Sequence, residues 1–394
     1  MLRTLFLAAL SLLPLVGFCQ SGQRHPSTST PKFVSKPQPV AHRDSVPTLK
    51  IGAAAPDFKL PGTDGKYYTL KSFVAAKVLV VVFTCNHCPT AQAYEDRIKA
   101  VAADYKSKGV AVVAISPTSP LGLLYEELGY TDMNDDYAEM ILRAKQQQFN
   151  FPYLYDGDTQ ATSLLYGPVA TPHVFVFDKM RKLQYVGRLD AKEKPGQANA
   201  EDLRAAVDAL LADNLPAKPV TKTFGCSTKW GWKTELRTKA DQEWDAKPVG
   251  IEPLQVDGLQ ALVKNANSDK LRLINIWATW CGSCVQEFPG FVVLQRMYGA
   301  RDFEFVSLSA DDPARQAKAL GFLQQKHAAF SNYIFAEDDK YALIEAIDKN
   351  WNGALPYTLL IEPGGKVVWS QQGEVNFAEL KRVIVDHPKI GRFF

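Results

Sequence analysis

The sequence has little excess charge of either sign and few long apolar runs. Its 394 residues include 45 Lys and Arg against 42 Asp and Glu, a formal net charge of +3, and no basic cluster is interleaved with aromatic residues. Binding of nucleic acid is therefore not indicated. After residue 18 no run approaches the roughly eighteen apolar residues of a membrane helix, so we expect no membrane span in the mature chain. The length exceeds that of one ordinary domain and predicts two domains.

The first 47 residues lack the pattern of a folded domain. Residues 1–19 place Arg3 ahead of the apolar run LFLAALSLLPLVGF, which is typical of a signal peptide and predicts export to the periplasm or cell envelope. Phe18 is bulky where lipoprotein signals need a small residue, which argues against lipid anchoring at Cys19. Residues 20–47 are rich in Pro, Ser, Thr and Gln, and we predict a disordered tether there.

Cysteine is scarce, and four of the six cysteines stand in two C-x-x-C motifs, Cys85 with Cys88 and Cys281 with Cys284. Each motif follows an apolar β-type run and precedes a helical stretch, a context that argues against a structural zinc knuckle. A sulfur at the first turn of a helix faces unpaired N–H groups and the positive end of the helix dipole, which lowers its pKa. We therefore predict that Cys281 is a redox nucleophile and that Cys284 closes the disulfide. All four cysteines are predicted to be catalytic, with no metal and no cofactor beyond the redox-active disulfides.

Strands and helices alternate in both halves of the chain, which predicts an α/β fold with a sheet in each half. Residues 48–213 begin with a hairpin around Asp64-Gly65 and continue in a βαβ pattern. Residues 214–253 form a poorly periodic connector, whose tryptophans predict that it packs on a domain. The same succession of elements repeats in residues 254–394.

The second motif resembles that of thioredoxin, and more closely that of the TlpA-like thiol-disulfide oxidoreductases. The resemblance rests on Trp280, the two cysteines, Glu287 and the helix-kinking Pro289, while Ser283 stands where the family often has proline. It implies exchange with protein thiols and disulfides of the cell envelope, with apocytochrome c maturation components among the candidate partners.

The first half resembles peroxiredoxin-like redoxins of the AhpC/TSA type. It shares with them the segments C-N-H-C-P, F-P-Y-L-Y-D, T-P and G-C-S, the last of which contains Cys226. The two resemblances together imply tandem thioredoxin-like folds, each with a mixed central sheet flanked by helices. Ala170 stands where relatives carry a further cysteine. Cys226 is left unpaired by the two motifs and is either buried or redox-linked, and burial is the favoured interpretation.

Each half also has an X-Pro pair at the place where thioredoxin folds carry a cis-proline facing the C-x-x-C motif. These pairs are Thr171-Pro172 and Leu355-Pro356. A cis peptide there leaves the backbone of the preceding residue free to pair with an extended substrate segment. The alternative is two ordinary trans prolines that open strands.

The residues between the cysteines predict that the two sites differ. His87 precedes Cys88 as in DsbA-like C-P-H-C motifs, where the histidine stabilises the thiolate of the first cysteine, here Cys85, and makes the site a better oxidant. Glu287 would raise the pKa of a nearby thiol, so the second site is expected to be more reducing and an intramolecular relay could join the sites. His173 lies either beside Cys85 or, the favoured interpretation, on a strand surface.

Two alternative functions concern the first half. Peroxiredoxins proper place Thr or Ser three residues before the peroxidatic cysteine and proline four residues before that, where this chain has Val82 and Val78, so the peroxidase signature fails. The other alternative is a copper-binding redoxin that uses Cys85, Cys88 and one histidine as soft ligands. Copper chaperones of this superfamily space their cysteines one residue wider.

Overall fold

The computed structural model of the chain describes residues 33–392. The predicted signal peptide, Cys19 and the first part of the predicted tether lie outside these residues. Residues 34–47 contain no helix or strand, and Ser35 donates a hydrogen bond of 2.6 Å to the carboxylate of Asp158, so this segment contacts the first domain. Among the described residues, no helix combines the length and the apolar composition that crossing a bilayer requires.

The first domain has a five-stranded mixed sheet in the order β5-β4-β3-β7-β8. Its elements are β1 (Lys59–Pro61), β2 (Tyr67–Thr69), β3 (Val78–Phe83), α1 (Pro89–Lys106), β4 (Val110–Ser116), α2 (Tyr137–Gln146), β5 (Tyr153–Tyr155), α3 (Ala161–Tyr166), β6 (Ala170–Thr171), β7 (His173–Phe177), β8 (Leu183–Gly187) and α4 (Glu201–Leu211). Short 3-10 helices lie at Leu70–Phe73, Pro120–Gly122 and Tyr125–Leu128. The predicted hairpin around Asp64-Gly65 is confirmed as the β1–β2 pair.

The central strand of this sheet, β3, explains where the first motif lies. All six of its residues are buried, as expected of an apolar, mostly β-branched strand with both faces covered. It pairs in parallel with β4 and antiparallel with β7. Cys85 follows two residues after its end and is therefore held at the carboxyl edge of the sheet.

The predicted connector contains more regular structure than its sequence indicates. It includes β9 (Cys226–Ser227), a 3-10 helix (Gly231–Lys233), α5 (Thr234–Asp245) and β10 (Glu252–Leu254). The prediction that its tryptophans pack on a domain is confirmed. Trp230 is buried, and the indole N–H of Trp244 donates a 2.9 Å hydrogen bond to the carbonyl of His327 in the second domain.

The second domain has a six-stranded mixed sheet in the order β10-β13-β12-β11-β14-β15. Its further elements are α6 (Val256–Lys264), β11 (Leu271–Trp277), α7 (Gly282–Tyr298), β12 (Phe303–Ser309), α8 (Gln316–Gln325), β13 (Ser331–Phe335), α9 (Lys340–Ile347), β14 (Tyr357–Ile361), β15 (Val367–Gln372) and α10 (Phe377–Asp386). A 3-10 turn, Pro313–Arg315, leads into α8. α7 continues through Pro289. The repeated succession predicted from the sequence is confirmed.

The two domains pack against each other through the end of α7. The hydroxyl of Tyr298 donates a 2.7 Å hydrogen bond to the carbonyl of Thr131, and Arg301 donates one of 2.8 Å to the carbonyl of Gly129. Leu123 and Leu128 of the first domain belong to the same buried apolar cluster as the face of α7 that covers the second sheet. Residues from both domains therefore share one core at this contact.

Candidate functional site

The second motif lies where β11 ends and α7 begins. Cys281 is the N-cap residue of α7, and its sulfur accepts a 3.3 Å hydrogen bond from the N–H of Cys284. The two sulfurs form a disulfide of 2.06 Å. Cys281 is 8% exposed and Cys284 1%, while the neighbouring Trp280 is 62% exposed. Cys281 is therefore the sulfur of this pair that an approaching thiol reaches first.

The surroundings of this disulfide are fixed by polar contacts and by a proline. The backbone N–H and hydroxyl of Thr279 both donate to the carboxylate of Asp311, at 2.9 and 2.8 Å, which holds the loop before Cys281. The Leu355-Pro356 bond is cis, as predicted, and Leu355 packs against the cluster that contains both cysteines. Leu355 lies in none of the strands of the second sheet, so its backbone is open to pairing.

Glu287 is buried on α7 one turn after Cys284. Its carboxylate accepts hydrogen bonds from Asn275 (3.4 Å) and from the N–H of Val375 (2.9 Å). Burial raises the pKa of Glu287 to about 7, although these two hydrogen bonds oppose the shift. A carboxyl that titrates near neutral pH can hold or release a proton while the thiols beside it react.

In the first motif the helix begins after the second cysteine rather than after the first. Proline is favoured at the first position of a helix, and the residue before it is disfavoured in the helical conformation. α1 accordingly starts at Pro89, and Cys88 is its N-cap with φ −76° and ψ 119°. The sulfur of Cys88 accepts a 3.4 Å hydrogen bond from the N–H of Ala91. The helix terminus therefore acts on Cys88, and Cys85 lies outside it.

His87 is buried beside the cysteines and is paired with an acidic residue. It is 2% exposed, and its Nδ1 contacts the carboxylate of Asp135, which also accepts a 2.5 Å hydrogen bond from the N–H of Asn86. Burial lowers the pKa of His87, but the charge of Asp135 and its hydrogen bond outweigh burial and raise it. Sequence reasoning missed Asp135, because one carboxylate in the acidic loop before α2 is not distinguished by any pattern.

The sequence predicts that His87 stabilises the thiolate of Cys85, whereas the contacts of the first pair favour a thiolate on Cys88. Burial raises the pKa of Cys88, but hydrogen bonds with Cys226, Cys85 and the N–H of Ala91, together with the charge of His87, hold it well below its usual value. Burial, the hydrogen bond with Cys88 and the nearby negative charges raise the pKa of Cys85 well above its usual value. The hydrogen bonds and the nearby charge therefore favour Cys88 as the thiolate of the reduced pair.

The first pair is covered by another part of the chain. The Thr171-Pro172 bond is cis, as predicted, but the backbone of Thr171 is not free, because β6 pairs antiparallel with β9 and places Thr171 opposite Cys226. The N–H of Cys226 donates a 3.4 Å hydrogen bond to the sulfur of Cys88, and the sulfur of Cys85 lies 3.0 Å from the hydroxyl of Thr171. Both thiols are buried.

Two further expectations about the first domain are corrected. Cys226 is partly exposed rather than buried. His173 is buried within β7 rather than on a strand surface; its Nδ1 accepts a hydrogen bond of 3.3 Å from the N–H of Val169, and burial lowers its pKa to about 4. His173 therefore remains neutral at physiological pH.

One group of side chains in the described part of the chain has metal-ligand geometry. The ligand atoms of Cys85, His87 and Asp135 all lie within 4.8 Å of one another. The Nδ1 atom of His87 already contacts Asp135, whereas its Nε2 atom is buried without a hydrogen-bond partner. These residues are the ones that would hold a metal ion at the first site.

Two protein-family models match the chain. The model described as the AhpC/TSA family matches residues 51–186, and the model described as Redoxin matches residues 252–384. The two matches and the two mixed sheets confirm an α/β chain of tandem thioredoxin-like folds, each flanked by helices.

Individual relatives match parts of the chain. Thioredoxin of Coprinus comatus is 35% identical over 66 residues, which are 16% of this chain and 62% of that protein. The thiol:disulfide interchange protein HelX of Rhodobacter capsulatus is 26% identical over 127 residues, 32% of this chain and 64% of that protein. A hypothetical protein of Sinorhizobium meliloti 1021 with a solved structure is 32% identical, with a TM-score of 0.42, over 47% of this chain and 96% of that chain. The chain thus spans less than two thirds of the length of these two curated relatives.

Proposed function

We infer that this chain of two tandem thioredoxin-like domains is a thiol-disulfide oxidoreductase that exchanges disulfides with protein clients through its two C-x-x-C sites. The observation that carries the proposal is the Cys281–Cys284 disulfide at the start of α7, beside cis-Pro356 and the exposed Trp280. Attack of a client thiol on the Cys281 sulfur forms a mixed disulfide and releases Cys284. In the fully reduced pair, Cys281 accepts a hydrogen bond from the first turn of the helix, which stabilises it as the thiolate that attacks a client disulfide.

We propose that the exchange takes place outside the cytoplasm, in the cell envelope. The apolar leader sequence in residues 1–19 supports export, and persistent disulfide chemistry is typical of oxidising compartments. Candidate clients are envelope proteins with reducible disulfides, including apocytochrome c maturation components. The variant Cys284→Ser should hold clients of the second site as mixed disulfides, and mass spectrometry of the captured proteins identifies them.

Reduction of insulin by dithiothreitol tests the activity. The wild-type protein should accelerate it, and Cys281→Ser should lower the catalysed rate by about tenfold or more, because the accessible thiolate is lost. Cys85→Ser alone should retain most of the rate, and the combined Cys85→Ser and Cys281→Ser variant should have none. Full activity in the combined variant would contradict the assignment.

We propose that the first site is the stronger oxidant of the two. A stabilised thiolate on Cys88 stabilises the reduced pair, which raises its reduction potential. Each potential can be measured in the full chain with the other pair replaced by serine, by equilibration with glutathione. His87→Ala should make the first site more reducing. Equal potentials at the two sites would contradict this part of the proposal.

A relay of electrons between the two sites requires the domains to separate. α7 has 17 residues and is therefore about 25 Å long. Cys281 lies at its start, whereas Tyr298 at its end contacts Thr131, whose side chain contacts Gln92 beside the first motif. Cys281 therefore lies at the end of α7 that is away from the first site. We propose that the two sites exchange with separate clients while this contact persists.

Peroxidase activity and copper binding have weaker support. A peroxidatic cysteine must be an accessible thiolate, but Cys85 is buried and its pKa is raised. Consumption of hydrogen peroxide tests the first alternative. Titration of the reduced protein with Cu(I) tests the second, and stoichiometric binding that resists Cys281→Ser but not Cys85→Ser would favour a copper site.

A further inference from the structure

The short strand β9 lies where a substrate strand would pair with the first site. Its two residues pair antiparallel with β6, and Cys226 is directly opposite Thr171, the residue before the cis-proline. This edge is the one that an extended substrate segment would otherwise use. The chain therefore presents one of its own cysteines in the position of a client cysteine.

The approach of this strand is close and depends on glycine. Gly225 has φ +129°, and a Cβ atom at this position would lie 2.1 Å from the carbonyl oxygen of Thr171. Cys226 packs against the cluster of Cys85, Cys88 and Ala91, and its N–H contacts the sulfur of Cys88. The side chains of Cys85, Cys88 and Cys226 thus pack together, and Cys88 contacts both of the other cysteines.

Of these three cysteines, only Cys226 is partly exposed to solvent. An open cavity of about 410 Å³ lies beside it and is lined by His87, Thr90, Tyr130 and Phe224 among others. Cys226 is partly exposed, whereas Cys85 and Cys88 are buried. An external thiol can therefore enter the cavity and meet Cys226 without any movement of the buried pair.

We propose that Cys226 is a third redox-active residue of the first site, which forms a disulfide with Cys88 as an alternative to the Cys85–Cys88 disulfide. The proposal rests on the thiol-disulfide function inferred above. Cys226 would carry oxidising equivalents between the buried pair and protein dithiols that enter the cavity.

The sequence of steps balances in atoms and electrons. The thiol of Cys226 attacks the Cys88 sulfur of the Cys85–Cys88 disulfide; the Cys88–Cys226 bond forms, and Cys85 leaves and takes up the proton. A client thiol then gives its proton to solvent and attacks the sulfur of Cys226, and Cys88 leaves as a thiolate. The second client thiol attacks the client sulfur of this mixed disulfide, which releases an oxidised client, and Cys226 leaves and takes up the proton of that thiol. The client dithiol loses two electrons and the Cys85–Cys88 disulfide gains them.

Disulfide mapping in the full chain tests the proposal. In a background with Cys19→Ser, Cys281→Ser and Cys284→Ser, the Cys85→Ser variant leaves Cys88 and Cys226, and the matched Cys88→Ser variant leaves Cys85 and Cys226. Both variants are equilibrated with glutathione under native conditions, quenched with acid and digested without reduction. We expect a Cys88–Cys226 linked peptide in the first variant, formed with an equilibrium constant at least about tenfold above that of Cys85–Cys226 in the second.

A kinetic comparison separates this proposal from the general function. In the same background, Cys226→Ser should still form the Cys85–Cys88 disulfide but should be reduced by glutathione about tenfold more slowly, whereas Ser227→Ala should not be slowed. Absence of the Cys88–Cys226 peptide, or an unchanged rate in Cys226→Ser, would overturn the role of Cys226 and leave the oxidoreductase assignment intact. A large loss of insulin reduction in Cys281→Ser, and complete loss in the combined Cys85→Ser and Cys281→Ser variant, would support that assignment independently.

Discussion

Cys88 and Cys281 are the two sulfurs that accept a hydrogen bond from the first turn of a helix, although they occupy opposite positions in their C-x-x-C motifs. Cys281 is the first cysteine of its pair and lies at the surface edge of the site. Cys88 is the second cysteine of its pair and is buried next to His87. The same physical effect therefore produces an accessible nucleophile at one site and a buried leaving group at the other.

The first prediction concerns the charge on Cys88. In the reduced Cys281→Ser and Cys284→Ser background, ultraviolet absorbance of the thiolate should titrate in a step well below the usual thiol pKa. Cys88→Ser should remove this step, whereas Cys85→Ser should keep it. His87→Gln should raise its midpoint by roughly one unit, because the imidazolium charge is lost. If the step persisted in Cys88→Ser, the thiolate would belong to another cysteine and the prediction would be wrong.

The second prediction concerns Glu287 and pH. Its pKa in the folded protein is about 7, above the value of about 4.3 expected in the unfolded chain. Between these two pKa values the folded state binds more protons than the unfolded state. The contribution of Glu287 to the free energy of unfolding therefore falls as the pH rises. Glu287→Gln should therefore raise the urea midpoint relative to wild type at about pH 8 more than at about pH 5. Glu345→Gln, on an exposed position of α9, is the control and should show no such difference.

At the scale of elements, most strands and helices were predictable because they bury a regular apolar face. α5 was not, because none of its residues is buried and its sequence therefore has no apolar stripe. β9 has two residues, too few for any alternation to be read. The cysteines, cis-prolines and His87 of the site were identified from sequence, whereas the cover over Thr171 depends on tertiary pairing that no local pattern encodes.

Pro89 explains why the helix of the first motif begins after the second cysteine. A proline directly after the second cysteine fixes the helix start there, whereas Gly282 and Ser283 after Cys281 allow the helix to begin after the first cysteine. The sequence C-N-H-C-P thus contains the reason that Cys88 is the N-cap. The identity of its partners, Asp135 and Cys226, comes only from the fold.

The third prediction concerns the pairing of β6 with β9. Gly225→Ala would place a methyl group against the carbonyl of Thr171, so β9 must move away. Alkylation of Cys88 in the native, reduced protein should then become about tenfold faster or more, because the sulfur loses its cover. Gly250→Ala is the matched control, since a methyl group there meets no atom within 4 Å. Equal alkylation rates in the two variants would show that β9 does not protect the site.

In the whole molecule, the contact between the two domains keeps the two C-x-x-C sites apart. Asp132 of the first domain pairs with Arg392 at 2.9 Å and with Arg382 at 3.6 Å, and Tyr298 bonds to Thr131 beside it. These contacts anchor the far end of α7 and α10 to the first domain. The second C-x-x-C motif lies at the other end of α7, away from this contact.

The fourth prediction tests whether the sites exchange directly. The Cys19→Ser, Cys88→Ser, Cys226→Ser and Cys284→Ser variant leaves Cys85 and Cys281, which would form an interdomain disulfide if the sites met. We expect only a minor fraction of this species on non-reducing peptide mapping of the monomer, and more of it when Tyr298→Phe also weakens the contact. A nearly complete Cys85–Cys281 disulfide with the contact intact would instead support an intramolecular relay.

Pulsed alkylation of the fully reduced native protein tests whether the second site is more accessible than the covered first site of the same chain. Cysteines labelled at successive times near neutral pH are quantified by mass spectrometry, with the denatured protein as the reference for intrinsic reactivity. Among the four cysteines of the two C-x-x-C motifs, Cys281 should be labelled first and Cys85 and Cys88 should be protected, with Cys85 the slowest because it is buried and its pKa is raised. Labelling of Cys85 as fast as Cys281 would contradict this prediction.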